Sequence, residues 1–470
     1  MVGIKSLGAY VPLHRLSYEE IGKAWGIGLG KGERSVSSFD EDSLTMAVEA
    51  AIDCLNKNER SAIDGVFFAS ATSPFNEKQA ATTIGVAADL NRNISTMDVS
   101  GSLRAGTGAL KAAFDAVAAG SNKNVLVTAA DCRMGYPGSS LESILGDGAA
   151  AVLVGDTGVA ANIAGIFSVS DEITDYWRRS EDRFVNAWED RFVMTKGYQR
   201  IMLEAVNGAF EKFGVEAKKV TKFVSNAPVE RSYWQVAGQL GFDLKTQVQM
   251  PVFSTVGNTG TASGLMHLVA CLEEASAGDL ILFANYGNGC DVFLIEVTDE
   301  ISGASGAKSM AGYMTSKKMI ANYNQYLRGR GLLPESEDRM PPIRPPSTII
   351  WRDQNSILRF RGMKCNKCGH GQFPIHRICS NCASKDDYTE FRFSDKIAKV
   401  FSCTVDNLGY GGGLSPFWAI ADFEDVRTRI QIADAELAEV SIGDSLEMTF
   451  RKFPSANDVP VYGWKGRPIR

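Results

Sequence analysis

The sequence predicts a layered α/β protein built from a duplicated unit and followed by a small all-β tail. Three observations carry this. Strand-sized apolar runs alternate with helix-spaced segments through roughly the first 300 residues. The order of those segments repeats once. After residue 349 the helical spacing gives way to short strands separated by turns.

Residues 2–13 (VGIKSLGAYVPL) read as a first strand and its turn. SYEEIGKAWG and DSLTMAVEAAIDCL follow with apolar residues at helical spacing. IDGVFFASAT is a buried-strand run, and KQAATTIGVAADL is a helix. The stretch from Asp98 to Thr107 (DVSGSLRAGT) then reads as a strand end, a tight turn and the start of the helix GALKAAFDAVAAG. An elbow of this kind exposes the residue at its bend near a helix N-terminus, whose dipole favours developing negative charge. NVLVTAAD and GDGAAAVLVGD complete the first unit as strands.

The second unit repeats the order. TKGYQRIMLEAVNGAFEKFG is a helix and TKFVSNAP a strand. QMPVFSTVGNTGTASGLMHLVACLEEASAG mirrors the elbow as strand, small-residue turn and helix. DLILFANYGNG and DVFLIEV mirror the closing strands. The expected boundaries are 1–160 and 161–330 for the two halves and 331–348 for a Pro-rich linker. A metal-binding ribbon over 349–390 and a small antiparallel barrel over 391–470 follow. A site between the halves would be lined by both elbows.

Bulk properties exclude several classes. A net charge of −6 gives no electrostatic footprint for nucleic acid. No apolar stretch reaches the length of a membrane span, and MVGIKSLGAYVPLHRLS lacks the pattern of a secretion signal. Four of the nine cysteines are clustered and five (Cys54, Cys132, Cys271, Cys290, Cys403) are scattered, which points to a reducing cytoplasm.

The most specific chemical signal is Cys365-x2-Cys368, ten residues, then Cys379-x2-Cys382. Two thiolate pairs on tight knuckles make a tetrahedral all-sulfur site suited to Zn²⁺, and four ligands leave no open position, so the metal is structural. His370 and His376 lie nearby and read as solvated loop residues. At the elbows, Ser102 and Asn258 are either helix caps or chemical groups. A serine nucleophile needs a base, and none is visible beside it. His267 reads as a satisfied core histidine, His14 lies in a turn, and Cys132 reads as a small buried residue. Tyr286 ends a strand before a Gly turn, where it either packs or serves as an acid/base phenol.

Residues 1–330 resemble the thiolase superfamily, most closely the archaeal-type hydroxymethylglutaryl-CoA synthases. The resemblance rests on DVSGSLRAGTGAL, AADCRMGYPGSSLESILGDGAAAVLVG, VFSTVGNTGTASGL and NYGNGCDVFLIEV. Residues 349–470 resemble the zinc-ribbon plus OB-fold domain that accompanies such enzymes, here fused to the core. The resemblance implies a coenzyme A thioester as substrate or ligand, with Asn258 and Tyr286 kept from the family's pattern. It places the family's nucleophilic Cys on Leu103, its His on Asn226 and its Glu near Ala71, with Glu77 close in sequence.

Without thiolate or imidazole, two readings are open. One is an enzyme that makes or breaks a C–C bond in an acyl-CoA without an acyl-enzyme, using Tyr286, Asn226 and Asn258. The other is a silent partner of a thiolase-type subunit, its OB domain guiding the CoA arm. Ser102 as a replacement nucleophile is a third option. The resemblance also implies a homodimer or a hetero-oligomer with a thiolase-type chain, without nucleic acid or membrane.

Overall fold

A computed structural model describes residues 1–56, 58–333, 347–406, 416–453 and 459–470. Residues 334–346 of the 331–348 linker therefore lie outside the described residues. The chain forms two units. One comprises residues 1–37, 42–85 and 90–323, the other 38–41, 86–89 and 324–470. Among the described residues no helix is long and apolar enough to cross a membrane.

The first unit is built on nine strands: β1 (Gly3–Tyr10), β2 (Gly65–Ala69), β3 (Ser95–Val99), β4 (Asn124–Cys132), β5 (Asp147–Gly155), β6 (Ala161–Ser170), β7 (Lys222–Ser225), β8 (Leu280–Tyr286) and β9 (Gly289–Val297). Their order is β7-β8-β9-β6-β1-β5-β4-β2-β3. The middle of that order is a point of repetition. Outward from β1 the neighbours are β5, β4, β2 and β3; outward from β6 they are β9, β8 and β7. Pairing sense repeats too: β1–β5 and β6–β9 are antiparallel, as are β4–β5 and β8–β9, whereas β2–β4 and β7–β8 are parallel. The two sets meet through a short antiparallel contact, Gly3 opposite Asn162 and Ile4 opposite Ala161.

One expected strand is missing. The counterpart of β3 in the second set shrinks to a single parallel bridge, Val248 with Phe223. The Gln249 N–H still reaches the Phe223 carbonyl, but Pro251 follows two residues later and has no N–H to extend the ladder.

Four helices cover these strands: α1 (Ser43–Leu55), α2 (Ala105–Ala118), α3 (Arg200–Phe213) and α4 (Ser263–Glu274). A capping box starts α1: the Asp42 side chain accepts from the Thr45 N–H, and the Thr45 hydroxyl accepts from the Asp42 N–H. Gly214, with φ of 64°, ends α3 in the left-handed conformation. Inside α4, His267 is fully buried. Its Nδ1 lies 2.7 Å from the Ser263 carbonyl and its Nε2 accepts from the Val252 N–H at 3.2 Å. Burial pushes its pKa down to about 4, so it is a neutral core residue at physiological pH.

Glu273, in the last turn of α4, accepts from the Met310 N–H at 2.8 Å. Burial raises its pKa from 4.5 to about 7, with the Met310 and Ala311 amides opposing. A carboxylate at a helix C-terminus is also disfavoured by the dipole. The folded state holds this proton more tightly than the unfolded chain. Its contribution is therefore full below pH 4.5 and lost as pH rises towards about 7. Glu273→Gln keeps an acceptor for Met310. It should raise the denaturation midpoint at pH 8 and leave it nearly unchanged at pH 4.5, and equal shifts at both pH values would contradict the assignment.

The second unit holds a three-stranded ribbon and a closed barrel. The ribbon strands are β10 (Arg361–Cys365), β11 (Gly371–Gln372) and β12 (Tyr388–Arg392), in the order β11-β10-β12. The barrel strands are β13 (Ala398–Val405), β14 (Phe417–Phe423), β15 (Val426–Ile432), β16 (Ser445–Phe453) and β17 (Val461–Pro468), in the order β13-β14-β15-β17-β16. Period-two burial along β14 turns Phe417, Ala419, Ala421 and Phe423 inward. The expected barrel is antiparallel, and one contact departs from that: Ile432 of β15 pairs in parallel with Gly466 of β17. Five strands cannot alternate direction around a closed ring, so one neighbouring pair has to run parallel. Buried and half-buried ion pairs in this unit join Lys465 to Asp40 (2.8 Å), Arg451 to Glu41 and Asp434, and Arg359 and Arg361 to Asp89 (both 2.8 Å).

Candidate active site

The first elbow joins β3 to α2. Gly101, with φ of 85°, makes the turn, and Leu103 sits at the apex just before α2 begins. Asp98, at the end of β3, accepts the Ala80 and Ala81 N–H groups (2.7 and 2.8 Å) and so caps the helix Ala80–Ala87. The Ser102 hydroxyl donates to the Gly287 carbonyl at 2.9 Å and accepts from the Arg104 N–H at 3.3 Å. Gly287 passes so close to the elbow that a Cβ there would lie 2.6 Å from the Arg104 nitrogen. Behind the apex, Asp291 receives Arg104 (3.0 Å), Ser168 (2.7 Å) and Thr107 (2.8 Å).

The second elbow leads into α4. Gly257 (φ 89°) and Gly260 (φ 62°) occupy left-handed backbone. The start of α2 meets this elbow where Gly106 faces the Thr261 carbonyl, and an added Cβ would come within 2.5 Å of that oxygen. The fully buried Asp131, on β4, joins the parts. Oδ1 accepts from Ser70 Oγ (3.0 Å), the Ala71 N–H (2.8 Å) and Thr72 Oγ1 (2.8 Å). Oδ2 accepts from the N–H (2.8 Å) and hydroxyl (2.9 Å) of Thr261.

A cavity lies beside both elbows, with about 340 Å³ of unfilled space, part of it open to solvent. Leu103, Leu141, Ile144, Leu145, Ala227 and Pro228 form its apolar wall. Its polar lining is Arg133, Tyr176, Asn226, Asn258 and Tyr286. Each asparagine amide is engaged with backbone. Asn226 Nδ2 donates to the Tyr286 carbonyl (2.9 Å), and its Oδ1 accepts from the Tyr286 N–H (2.7 Å). Asn258 Nδ2 donates to the Ala227 carbonyl (2.9 Å), and its Oδ1 accepts from the Gly260 N–H (3.0 Å). Each NH₂ therefore keeps one hydrogen beyond those bonds.

Tyr286 is buried, and its hydroxyl donates to Asp175 Oδ2 at 2.6 Å. Burial raises its pKa far above the usual phenol range, and the Asp175 charge pushes the same way, so the phenol stays protonated. A turn of π-helix over Val193–Gln199 brings Gly197 against this hydroxyl, where a Cβ would lie 2.7 Å away. Asp175 Oδ1 accepts from the Tyr176 N–H at 2.6 Å.

Four residues singled out in the sequence thus share the cavity: Leu103, Asn226, Asn258 and Tyr286. Ser102 sits next to the apex, but its hydroxyl is turned to Gly287. Ala71 lies under Asp131 instead, its N–H on the carboxylate. Cys132 is half-buried, 3.6 Å from the Ser37 hydroxyl. Three groups at or behind the cavity wall escaped the sequence reading: Arg133, Asp175 and Tyr176. Arg133 carried a signal, since a charged residue directly after a buried apolar strand has to face something. Asp175 and Tyr176 lie in ITDYW, where the strand is only two residues long and shows no period.

In the second unit the sulfurs of Cys365, Cys368, Cys379 and Cys382 all lie within 4.8 Å of one another. The separations Cys365–Cys382 and Cys368–Cys379 are both 3.6 Å. Tetrahedral zinc with bonds of about 2.3 Å has sulfur–sulfur edges of roughly 3.8 Å, so the donor set and its size fit zinc. The His370 amide, followed by Asn381, favours the Cys368 thiolate and holds its pKa down to about 6. His370 Nε2 is 3.1 Å from Ser380 Oγ, and His376 is exposed; neither belongs to the cluster.

Comparison with known proteins follows this division. Residues 357–387 match the ChsH2 rubredoxin-like zinc ribbon domain, so the four-cysteine cluster is that of a zinc ribbon. The first unit has the thiolase-type fold. Its solved neighbours include an HMG-CoA synthase complexed with CoA (TM-score 0.66, 18% identity, 73% of this chain and 94% of that one). Another is 3-oxoacyl-[acyl-carrier-protein] synthase III from Aquifex aeolicus (TM-score 0.57, 22% identity, 63% and 100%). In sequence the chain is 31% identical to the hydroxymethylglutaryl-CoA synthase of Archaeoglobus fulgidus over 70% of its own length and 98% of that protein. It is 32% identical to that of Aeropyrum pernix over 70% and 94%. The chain belongs to the hydroxymethylglutaryl-CoA synthase family, within the thiolase superfamily.

Proposed function

We propose that the chain binds an acyl-CoA thioester and makes or breaks a C–C bond beside its carbonyl without forming an acyl-enzyme. The observation that carries this is the Tyr286–Asp175 pair beside a cavity whose elbow presents Leu103. A leucine cannot attack a thioester, whereas a protonated phenol on a buried carboxylate can relay a proton. In the cleavage direction, the β-hydroxyl of the substrate gives its proton to Tyr286 as the Tyr286 proton passes to Asp175. The Cα–Cβ bond breaks, a carbonyl forms at Cβ, and the electron pair moves into the thioester as an enolate. The proton held on Asp175 then returns through Tyr286 to Cα, releasing the shortened thioester and a ketone or aldehyde and restoring both groups. The remaining Asn226 and Asn258 amide hydrogens are available to the enolate oxygen.

On this reading residues 1–160 and 161–330 are two copies of one ancestral unit, each supplying an elbow, with the ribbon over 349–390 and the barrel over 391–470. The test is intact-mass spectrometry of the full chain after incubation with several acyl-CoAs, together with a cleavage assay on β-hydroxyacyl-CoAs. No covalent adduct should appear. Tyr286→Phe should lower kcat on the order of a hundredfold or more with thioester binding retained. An acyl adduct would overturn the proposal.

A second reading has its own support. Both asparagine amides serve the backbone, which suits a non-catalytic subunit paired with a cysteine-bearing thiolase-type chain. It predicts that the isolated chain neither acylates nor cleaves, and that an active partner co-purifies with it.

A further inference from the structure

Arg133 is 4% exposed and lines the cavity. Among the described residues its guanidinium makes no hydrogen bond or ion pair. The Cδ of its stem passes over Gly260, where a Cβ would lie 2.7 Å away. Two carboxylates, Asp131 and Asp175, act on the guanidinium through space. Both are committed to other donors. Asp131 accepts the bonds from Ser70, Ala71, Thr72 and Thr261, and Asp175 accepts those from Tyr286 and the Tyr176 amide.

A buried cation with no counter-charge in contact is costly, and a protein gains nothing in stability from keeping one. Desolvation draws the Arg133 pKa below its ordinary value, with Asp131 the largest opposing influence. Hydrogen bonding to an oxygen in the cavity does not require this cation, because Asn226 and Asn258 each keep a free amide hydrogen. Neutral amides cannot offset a net charge, however, and the proposed bond cleavage moves one.

At rest the negative charge is on Asp175. The β-hydroxyl proton passes through Tyr286 to Asp175, and the Cα–Cβ electron pair enters the thioester. Asp175 is then neutral and the thioester oxygen carries the charge. When the proton returns to Cα, the charge returns to Asp175. We propose that Arg133 is a catalytic residue, the fixed counter-ion of this migrating charge, which contacts the thioester oxygen as the enolate forms. A cation already in place needs no reorganisation at the moment the charge moves. The rest of the wall favours this occupant. Leu103, Leu141, Ile144 and Leu145 are aliphatic, which suits an acyl chain rather than the phosphates of CoA.

The inference rests on the bond-cleavage reading, and its test separates the two. Butyryl-CoA labelled with carbon-13 at the carbonyl has no β-hydroxyl and stays intact. It is bound to the full chain, to Arg133→Met and to Arg133→Lys, and the labelled carbonyl stretch is read by infrared difference spectroscopy. On the wild type the band should lie at lower wavenumber than in free thioester, because a cation at the oxygen polarises the carbonyl. Arg133→Met should return it to the free position. Arg133→Lys should keep most of the shift, since it keeps the charge and loses only the fork. In the cleavage assay on a β-hydroxyacyl-CoA, Arg133→Met should lower kcat roughly a hundredfold with KM little changed.

An unshifted band on the wild type, or a shift that survives Arg133→Met, overturns the inference and leaves the bond-cleavage reading standing. A rise in KM with kcat unchanged also overturns it, as the mark of an anchor for the CoA phosphates. An Arg133→Met chain that fails to fold gives no bound band, and Arg133→Lys then decides, its return to the free position being the overturning result. If the wild type cleaves no thioester, the bond-cleavage reading falls and the inference falls with it.

Discussion

Asp131→Ala is expected to destabilise the first unit by about 4 kcal/mol or more, a large share of the roughly 5–15 kcal/mol typical of a domain. The carboxylate is fully buried and accepts five hydrogen bonds, three from the end of β2 and two from Thr261. Its removal leaves five donors facing an apolar methyl, each costing about 1–3 kcal/mol where water cannot reach it. Local relaxation recovers some of that sum. The loss also deprives Arg133 of its largest stabilising neighbour. Asp131→Asn should do nearly as badly, because one end of the amide is a donor pointed at donors. Guanidinium unfolding followed by circular dichroism measures both, and a loss under about 1 kcal/mol for Asp131→Ala would show that the five bonds are not holding the elbows together.

Cys365→Ser should have the second large effect. Zinc binding to a knuckle of this kind is coupled to its folding, with apparent energies of about 10–16 kcal/mol in zinc-finger peptides at neutral pH. Cys365 is buried at the end of β10, and its loss breaks a four-ligand set in which no other cysteine among the described residues can substitute. Bound zinc should fall from about one ion per chain to near zero. Ribbon amides should lose hydrogen-exchange protection, while β1–β9 keep theirs. Unchanged zinc content would mean that the ligand assignment is wrong.

Most of the repeated strand order was legible because β2, β4, β5, β8 and β9 contain short apolar runs; β6, the partly exposed counterpart of β1, carries no such run and was not read as a strand. The zinc cluster was legible because its ligands sit at fixed short spacing. The elbows were legible as glycine- and serine-rich turns ahead of helices, and Leu103 stood out because the family resemblance placed the nucleophilic Cys there. What was missed has more than one cause. The Tyr286–Asp175 pair joins residues 111 apart in sequence, and no local pattern announces a contact of that range. The missing strand before the second elbow failed for a local reason, since QMPVF has strand composition but its proline stops the ladder. The engagement of both asparagines with main chain was equally hidden, because a cap and a chemical group look alike in one dimension.

The seam between the second elbow and the residues leading into β5 has a consequence for how such a chain can diverge. The Asn258 N–H donates to the Ile144 carbonyl at 2.8 Å, and the Asn258 carbonyl accepts from the Gly146 N–H at 3.0 Å. A Cβ on Gly146 would fall 1.8 Å from the Val256 oxygen. Main chain therefore binds main chain across the two halves, and no side chain larger than hydrogen fits at the crossing. After duplication the two copies can no longer drift independently along this line, because a change in one path demands a matching change in the other. Leu103 and Arg133 touch the cavity but take no part in the seam. Descendants of this fold can exchange residues there, trading one chemistry for another, while the scaffold around them stays locked.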